Sequence, residues 1–277
     1  MFGRPARPPW AVSRPAARVN GESMSNEEKQ PGRVAVVTGG ASGLGLSICE
    51  HLARQGRLVG VLDLDGDAAE KVAVDLRAQG ARAAAVQVDV SDRAAVDRAF
   101  DRVRAELGPV SILVTSAAVA GFVPFEEITA DDWARTIAVN LTGTFHCLQA
   151  AIPDMVAAGW GRIVTISSAA GQTGSPRQGH YSASKGGVIA LTKTVALEYA
   201  AKGITANTIP PFTADTPMLR AAQQARHLPK TEALARMVPA GRLGTGDDIA
   251  AICAFLCSDE AGYITGQVIG VNGGAVT

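Results

Sequence analysis

The sequence predicts an α/β fold: a doubly wound, seven-stranded parallel sheet flanked by helices, in a single domain. Two observations predict it. Short β-branched apolar runs alternate with longer amphipathic segments, and those runs are continuous rather than alternating in polarity. Continuous apolar strands are buried on both faces, as in a parallel sheet covered by helices on either side. Regular strand–helix alternation then implies right-handed βαβ units. The length of 277 residues is within reach of one such domain.

The strands are expected, in order, at Val34–Val37, Leu58–Leu62, Ala84–Val88, Ser111–Val114, Arg162–Ile166, Ile204–Ile209 and Gln267–Val271. Helices are expected at Leu44–Gln55, Ala68–Gln79, Ala94–Glu106, Trp133–Ala158, Ser182–Ala201 and Asp247–Cys257. The domain is expected to span residues 32–277, with a lid over about 212–240. Residues 1–31 carry Arg4, Arg7, Arg14 and Arg18 among Pro5, Pro8, Pro9 and Pro15. An Arg-rich, acid-poor start has transit-peptide character, but prolines break an amphipathic helix. The segment is expected to be a disordered tail, or to precede a functional start near Met24.

Composition narrows the function. Hydrophobic residues make up 47% and charged residues 19%, and 26 basic residues balance 26 acidic ones. The balance gives no electrostatic pull towards nucleic acid or an anionic membrane, and neither is expected as a partner. No apolar run reaches the ~18 residues that span a bilayer. Cys49, Cys147, Cys253 and Cys257 lie in apolar stretches and read as reduced core thiols of a cytoplasmic protein. Cys253 and Cys257 share a helical face, but no His or further Cys is nearby, so no metal site is expected.

The first strand runs into Thr38-Gly39-Gly40-Ala41-Ser42-Gly43-Leu44-Gly45. Gly39, Gly43 and Gly45 follow a strand and open a helix. Glycine allows a tight turn and a close approach of backbone to a pyrophosphate. The helix N-terminus adds free N–H groups and partial positive charge. Ser42 and Leu44 complete this dinucleotide cradle. The second strand ends at Asp63, whose carboxylate can accept from both ribose hydroxyls and repels a 2′-phosphate. Leu64-Asp65-Gly66-Asp67 follows, with no basic residue, so NAD is expected rather than NADP.

Tyr181 and Lys185 stand one helical turn apart and share a face. A phenol titrates near 10 in water, too high for a base at neutral pH, and a nearby ammonium favours the phenolate. Ser168 closes the fifth strand at the carboxyl edge, where open parallel sheets bind ligands, and its hydroxyl can hold a substrate oxygen. Ser167 competes for that role. Asn140 lies mid-helix, as a functional group or as a polar core residue bonded to backbone.

Together these motifs resemble those of classical short-chain dehydrogenases/reductases, over roughly residues 32 to 274. The resembling elements are Thr38-Gly39-x-x-x-Gly43-x-Gly45, Asp89-Val90, Asn140, Ser168, Tyr181-x-x-x-Lys185 and Asn272-Gly273-Gly274. The resemblance implies a Rossmann-type fold and a catalytic tetrad. Tyr181 would be the acid/base, and Lys185 would hold the nicotinamide ribose and lower the tyrosine pKa. Ser168 would position the substrate, and Asn140 would hold a water in a proton relay. Asp89 and Val90 would face the adenine. Ser116 and Ala117 would offer backbone contacts, and Pro211, the Ala214 backbone and the Thr216 hydroxyl would meet the nicotinamide end. A homotetramer packed through the helices near 133–158 and 182–201 and the last strand is also implied.

The sequence departs from the family at Thr115-Ser116-Ala117-Ala118, where the pattern is Asn-Asn-Ala-Gly, and at Pro211-Phe212, where it is Pro-Gly. Ala118 adds a methyl near the ribose. Phe212 removes easy access to positive φ and is expected to reshape the loop over the nicotinamide. Pro217 to Pro239 reads as the substrate lid, with Met218, Leu219, Ala221, Ala222, His227, Leu228 and Leu234 beside Arg220 and Arg226. The leading expectation is hydride transfer between NAD(H) and a small secondary alcohol or ketone. The alternatives are a 3-oxoacyl thioester reductase, with Arg220 or Arg226 meeting a carrier phosphate, and a non-catalytic dinucleotide-binding protein.

Overall fold

A computed structural model describes residues Gly32–Thr277; the expected tail over residues 1–31 lies outside them. Six parallel strands form one sheet: β1 (Val34–Thr38), β2 (Leu58–Asp63), β3 (Ala83–Gln87), β4 (Val110–Thr115), β5 (Gly161–Ile166) and β6 (Ile204–Ile209). Their order is β3-β2-β1-β4-β5-β6. The chain reverses its winding between β1 and β4, and the carboxyl ends there open the crevice in which such sheets bind ligands.

Strand alternation explains the continuous apolar runs. In β1, Ala35 and Val37 enter one core with Ile48, Cys49 and Leu52 of helix α1 (Gly43–Arg54). Helix α2 (Gly66–Ala78) adds Val72 and Leu76 to the same core. Val34 and Val36 enter the opposite core with Val96, Phe100 and Val103 of helix α3 (Arg93–Leu107). Both faces of the strand are therefore apolar and both are covered.

The expected seventh strand is not there. Around Gln267–Val271 only Val268 bridges to β6, at Thr208. The Asn207 side chain intercepts the pairing, donating to the Ile264 carbonyl at 2.8 Å and accepting from the Gln267 N–H at 3.0 Å. Gly266, at φ 72°, turns the chain just before.

The expected helix Trp133–Ala158 is two helices joined by a wider turn. Helix α4 (Ala130–Ile137) starts earlier, at a capping box in which Thr129 and Asp132 each satisfy the other's backbone N–H. A π-helical turn over Ala138–Thr142 follows, then helix α5 (Gly143–Ala158). Helix α6 (Ala169–Thr173) is a single turn, and helix α7 (Gly179–Tyr199) begins ahead of Tyr181. The segment expected to form a lid holds helices α8 (Pro217–Gln224) and α9 (Thr231–Met237), and helix α10 (Gly246–Leu256) packs on α1. Within that segment, Leu219 and Leu234 are buried with Leu243 and so do not offer their surface to a ligand.

Candidate active site

The carboxyl ends of β1 and β4 are tied together at the crevice. The Ser116 and Ala117 N–H groups each donate to the Thr38 hydroxyl at 3.2 Å. Both amides expected to contact a cofactor are thus engaged, and only their carbonyls remain for one. Gly39, at φ 65°, sits so close that an added Cβ would lie 2.8 Å from the Ala117 backbone. Gly45 is tighter still, since a Cβ there would meet the Gly39 carbonyl oxygen at 2.0 Å.

Helix α1 begins at this turn with no side-chain cap and no acid in its first turn. Helices α2, α3, α4 and α10 are instead capped by Asp65, Asp92, Thr129 and Thr245. The α1 N–H groups therefore face the crevice unneutralised, which suits a pyrophosphate. Ser42 is the N-cap residue and makes no cap bond, while Leu44 packs on the core beneath. At the end of β2, Asp63 is oriented by the Ala41 N–H at 3.0 Å and the Asp65 N–H at 3.1 Å. Leu64 beside it is 65% exposed. The glycine cradle, the uncapped helix and the fixed strand-end carboxylate fit a dinucleotide.

Two adenine-side expectations are placed differently from each other. Asp89 is exposed, its carboxylate turned onto the Ser91 N–H at 2.9 Å. The Val90 side chain is buried against Gly143, where a Cβ would clash with it at 2.6 Å, so its side chain belongs to the core.

The loop after β6 forms the far wall. The Pro211 carbonyl accepts from the Ala169 N–H at 2.9 Å. Ala214 pairs with Gly244 through the Thr213 carbonyl and the Asp215 N–H, so its own N–H and C=O take no part in the pairing. Thr216 caps α8, its hydroxyl accepting from the Leu219 N–H at 3.3 Å. Its side chain lies opposite Gly43 of the glycine turn. Phe212 does not occupy the left-handed region, which only Arg177 and Arg226 do among the described non-glycine residues. It lines a cavity of about 100 Å3 with Val238, Val271 and Gly273, behind the loop.

The two candidate serines separate cleanly. Ser167 is buried and accepts a bond from the Thr208 hydroxyl at 2.8 Å, which makes it a core residue. Ser168 is half-buried and its hydroxyl neighbours that of Tyr181. Burial raises the Tyr181 pKa above the ordinary phenol value, and the nearby Ser168 hydroxyl, which also caps α6 through the Ala170 N–H, acts the other way. Lys185 is buried on the same helix and donates from Nζ to the Ile166 carbonyl at 2.8 Å. Burial lowers its pKa to about 8. Asn140 occupies the π turn, fully buried. Its Oδ1 accepts from the Val119 N–H at 2.8 Å, and its Nδ2 donates to the Val119 carbonyl at 2.9 Å and the Ser184 hydroxyl at 3.1 Å. Ser184 in turn donates to the Tyr181 carbonyl at 2.7 Å. Asn140 thus links the loop after β4 to the helix of the tyrosine.

A family model described as enoyl-(acyl carrier protein) reductase matches residues 39–276. The chain is 39% identical to the 2-dehydro-3-deoxy-L-rhamnonate dehydrogenase (NAD(+)) of Sphingomonas sp. (strain SKA58), over 89% of this chain and 96% of that protein. The chain belongs to the short-chain dehydrogenase/reductase family. It is 38% identical to an acetoacetyl-CoA reductase of Cupriavidus necator, over 87% of this chain and 97% of that one. The crystal structure of gox2181 superposes with a TM-score of 0.84 at 34% identity, covering 89% and 96% of the two chains. As a short-chain dehydrogenase/reductase the protein is an oxidoreductase acting on CH–OH groups.

Sequence reasoning for this short-chain dehydrogenase/reductase missed Thr38 as the clasp between β1 and β4, and Ser184 as the link from Asn140 to Tyr181. Thr38 stands inside the glycine motif and Ser184 inside Tyr181-x-x-x-Lys185, so both were visible as positions. Their partners are distant in sequence and could not be read from spacing.

Proposed function

We propose that the protein interconverts a secondary alcohol and a ketone with NAD(H), with Tyr181 as the acid/base. The carrying observation is the Tyr181 hydroxyl set against Ser168, with the buried Lys185 ammonium one turn along the same helix. The dinucleotide, when bound, supplies the hydride acceptor or donor. In oxidation the Tyr181 phenolate takes the substrate hydroxyl proton, and in reduction the phenol returns it. Ser168 donates to the substrate oxygen and stabilises charge developing on it. Lys185 favours the phenolate electrostatically and offers donors to the ribose. Asn140 fixes the helix that carries Tyr181, and its place in a water relay is part of the same proposal.

NAD over NADP is supported by Asp63, whose fixed carboxylate would accept from ribose hydroxyls and repel a 2′-phosphate. Ser116, Ala117, Leu64, Asp89, Val90, Pro211, Ala214 and Thr216 complete the proposed cofactor contacts, those of Val90 through its backbone. We place residues 32–277 as one catalytic domain, with the lid over about 212–240. Exposed Trp133, Phe145 and Leu197 on α4, α5 and α7 support a homotetramer packed through those helices. Four free, buried cysteines support a reducing, cytoplasmic setting. Among the described residues no helix is long and apolar enough to cross a membrane.

For the thioester reading, Arg220 is already held by Asp215 at 3.2 Å, which leaves Arg226 as the arginine to meet a carrier phosphate. The test is reduction of NAD and, in parallel, NADP across a panel of secondary alcohols, with acetoacetyl thioester reduction measured beside them. NAD-linked oxidation of an alcohol is expected. Cofactor binding without turnover of any alcohol, ketone or thioester would overturn the proposal in favour of a binding protein.

A further inference from the structure

Arg177 and Arg226 are the described non-glycine residues with positive φ, at 61° and 58°. A residue with a Cβ pays on the order of 1–2 kcal/mol for that backbone, which glycine would not. Arg177 contacts Phe122 directly, and Arg226 precedes the His227 that stacks on it. Arg177 precedes α7 and grips the loop after β4. Its carbonyl accepts from the Val123 N–H at 2.8 Å, and its Nη2 donates to the Phe122 carbonyl at 3.3 Å. Arg226 follows α8 and turns the chain so that the His227 N–H returns to the Ala222 carbonyl at 2.9 Å. The His227 imidazole then stacks on the Phe122 ring, with centroids 5.4 Å apart and 19° between planes. Strain retained at Arg177, which holds the Phe122 carbonyl, and at Arg226, which sets the turn of His227, points to function.

The stack joins the loop after β4 to the turn after α8. Phe122 follows Gly121, against which the ring of His180 is packed, and His180 precedes Tyr181. His227 comes from the turn that follows α8. Neither Arg177 nor Arg226 has a carboxylate within ion-pair distance among the described residues, unlike Arg220. Arg177 and His227 are both exposed. An uncompensated guanidinium and an imidazole at one aromatic ring form a receptor for a planar anion.

The geometry points to Arg177 and His227, braced on Phe122, as the group that holds a carboxylate at the end of the substrate away from the reacting carbinol. The substrate class is then a hydroxy acid and its oxo acid, not a neutral alcohol. This rests on the alcohol–ketone reading above. Arg177 stands ahead of the first turn of α7 and Tyr181 lies within it, so a substrate that meets both carries its carboxylate and its carbinol at opposite ends.

The test compares 3-hydroxybutyrate, 4-hydroxypentanoate and 4-hydroxycyclohexanecarboxylate with their methyl esters, using the full chain and NAD. The best acid is expected to exceed its ester by about tenfold or more in kcat/KM, the value of a charge-assisted hydrogen bond. Arg177→Gly removes the guanidinium while relieving the strained φ, so loss of folding does not confound it. It should abolish the preference through KM, leaving kcat and the ester within about threefold, and Arg177→Lys should restore part of it. Equal losses for acid and ester, or a wild-type preference for the ester, would overturn the carboxylate site while leaving the alcohol–ketone reading intact. The alcohol–ketone reading fails instead only when the whole alcohol and ketone panel is also inert. Calorimetry of cyclohexanecarboxylate and butyrate binding to the enzyme–NADH complex then decides the site. Binding lost in Arg177→Gly supports it, and no binding overturns it.

Discussion

Lys185 donates a hydrogen bond from Nζ to the Ile166 carbonyl at 2.8 Å, and that Nζ lies 5.8 Å from the centre of the Tyr181 ring. The ammonium is thereby fixed between the end of β5 and the proposed acid/base, at a depth where its charge is poorly solvated. Burial places its pKa at about 8 against an ordinary 10.5.

That difference makes cofactor-free stability depend on pH. Between about 8 and 10.5 the unfolded lysine keeps a proton that the folded one has lost, so stability rises with pH across this window. Below pH 8 the buried charge is a constant penalty of about 3 kcal/mol. The raised Tyr181 pKa acts the other way above its ordinary value of 10.0, where the unfolded phenol ionises first. Urea unfolding of the cofactor-free protein at pH 7 to 10 is expected to show the rise in wild type and not in Lys185→Met.

Asn140→Ala should destabilise the fold as well as the reaction. It leaves the Val119 N–H and C=O without their buried partner and frees Ser184. The expected loss is about 2–4 kcal/mol in denaturant unfolding, since unpaired buried polar groups carry their full desolvation cost. An effect on turnover with unchanged stability would leave only a direct catalytic role.

Gly45→Ala places a methyl carbon where the Gly39 carbonyl oxygen stands 2.0 Å away. Both partners are backbone, so the turn has to open. Fluorescence titration with NADH should show at least a tenfold weaker affinity, on the order of 1.4 kcal/mol. Unchanged affinity would mean that the turn is not the phosphate cradle.

Asp63→Ser removes the carboxylate that the Ala41 and Asp65 amides orient. The kcat/KM with NAD is expected to fall by about tenfold to a hundredfold, and the NAD/NADP ratio to narrow with it. Steady-state rates with both cofactors measure this, and an unchanged ratio would remove Asp63 from cofactor choice.

Much of the fold was legible because β1, β2, β4, β5 and β6 are buried on both faces, which leaves an unbroken apolar signature. The seventh strand was misread for a local reason: the Asn207 side chain takes the Gln267 N–H that an extended Gln267–Val271 would have given to the β6 backbone. The α4–α5 segment has helical periodicity throughout, and periodicity does not register the extra residue of the π turn at Asn140. In the candidate site, the shared helix of Tyr181 and Lys185 and the place of Ser168 at the end of β5 were readable because both are local in sequence. The choice of Ser168 over Ser167 needed the Thr208 contact. The pairing of Phe122 with His227 joins segments about a hundred residues apart, and no pattern in either segment announces it.

The most direct measurement is single-turnover hydride transfer by Tyr181→Phe, with NADH affinity measured on the same protein. The side chain keeps its ring and loses only the hydroxyl beside Ser168. Affinity within about threefold of wild type and transfer slower by about a hundredfold to ten-thousandfold are expected from loss of a general acid/base. Transfer at near wild-type rate would contradict the account, because the proton would then be moving through some other group.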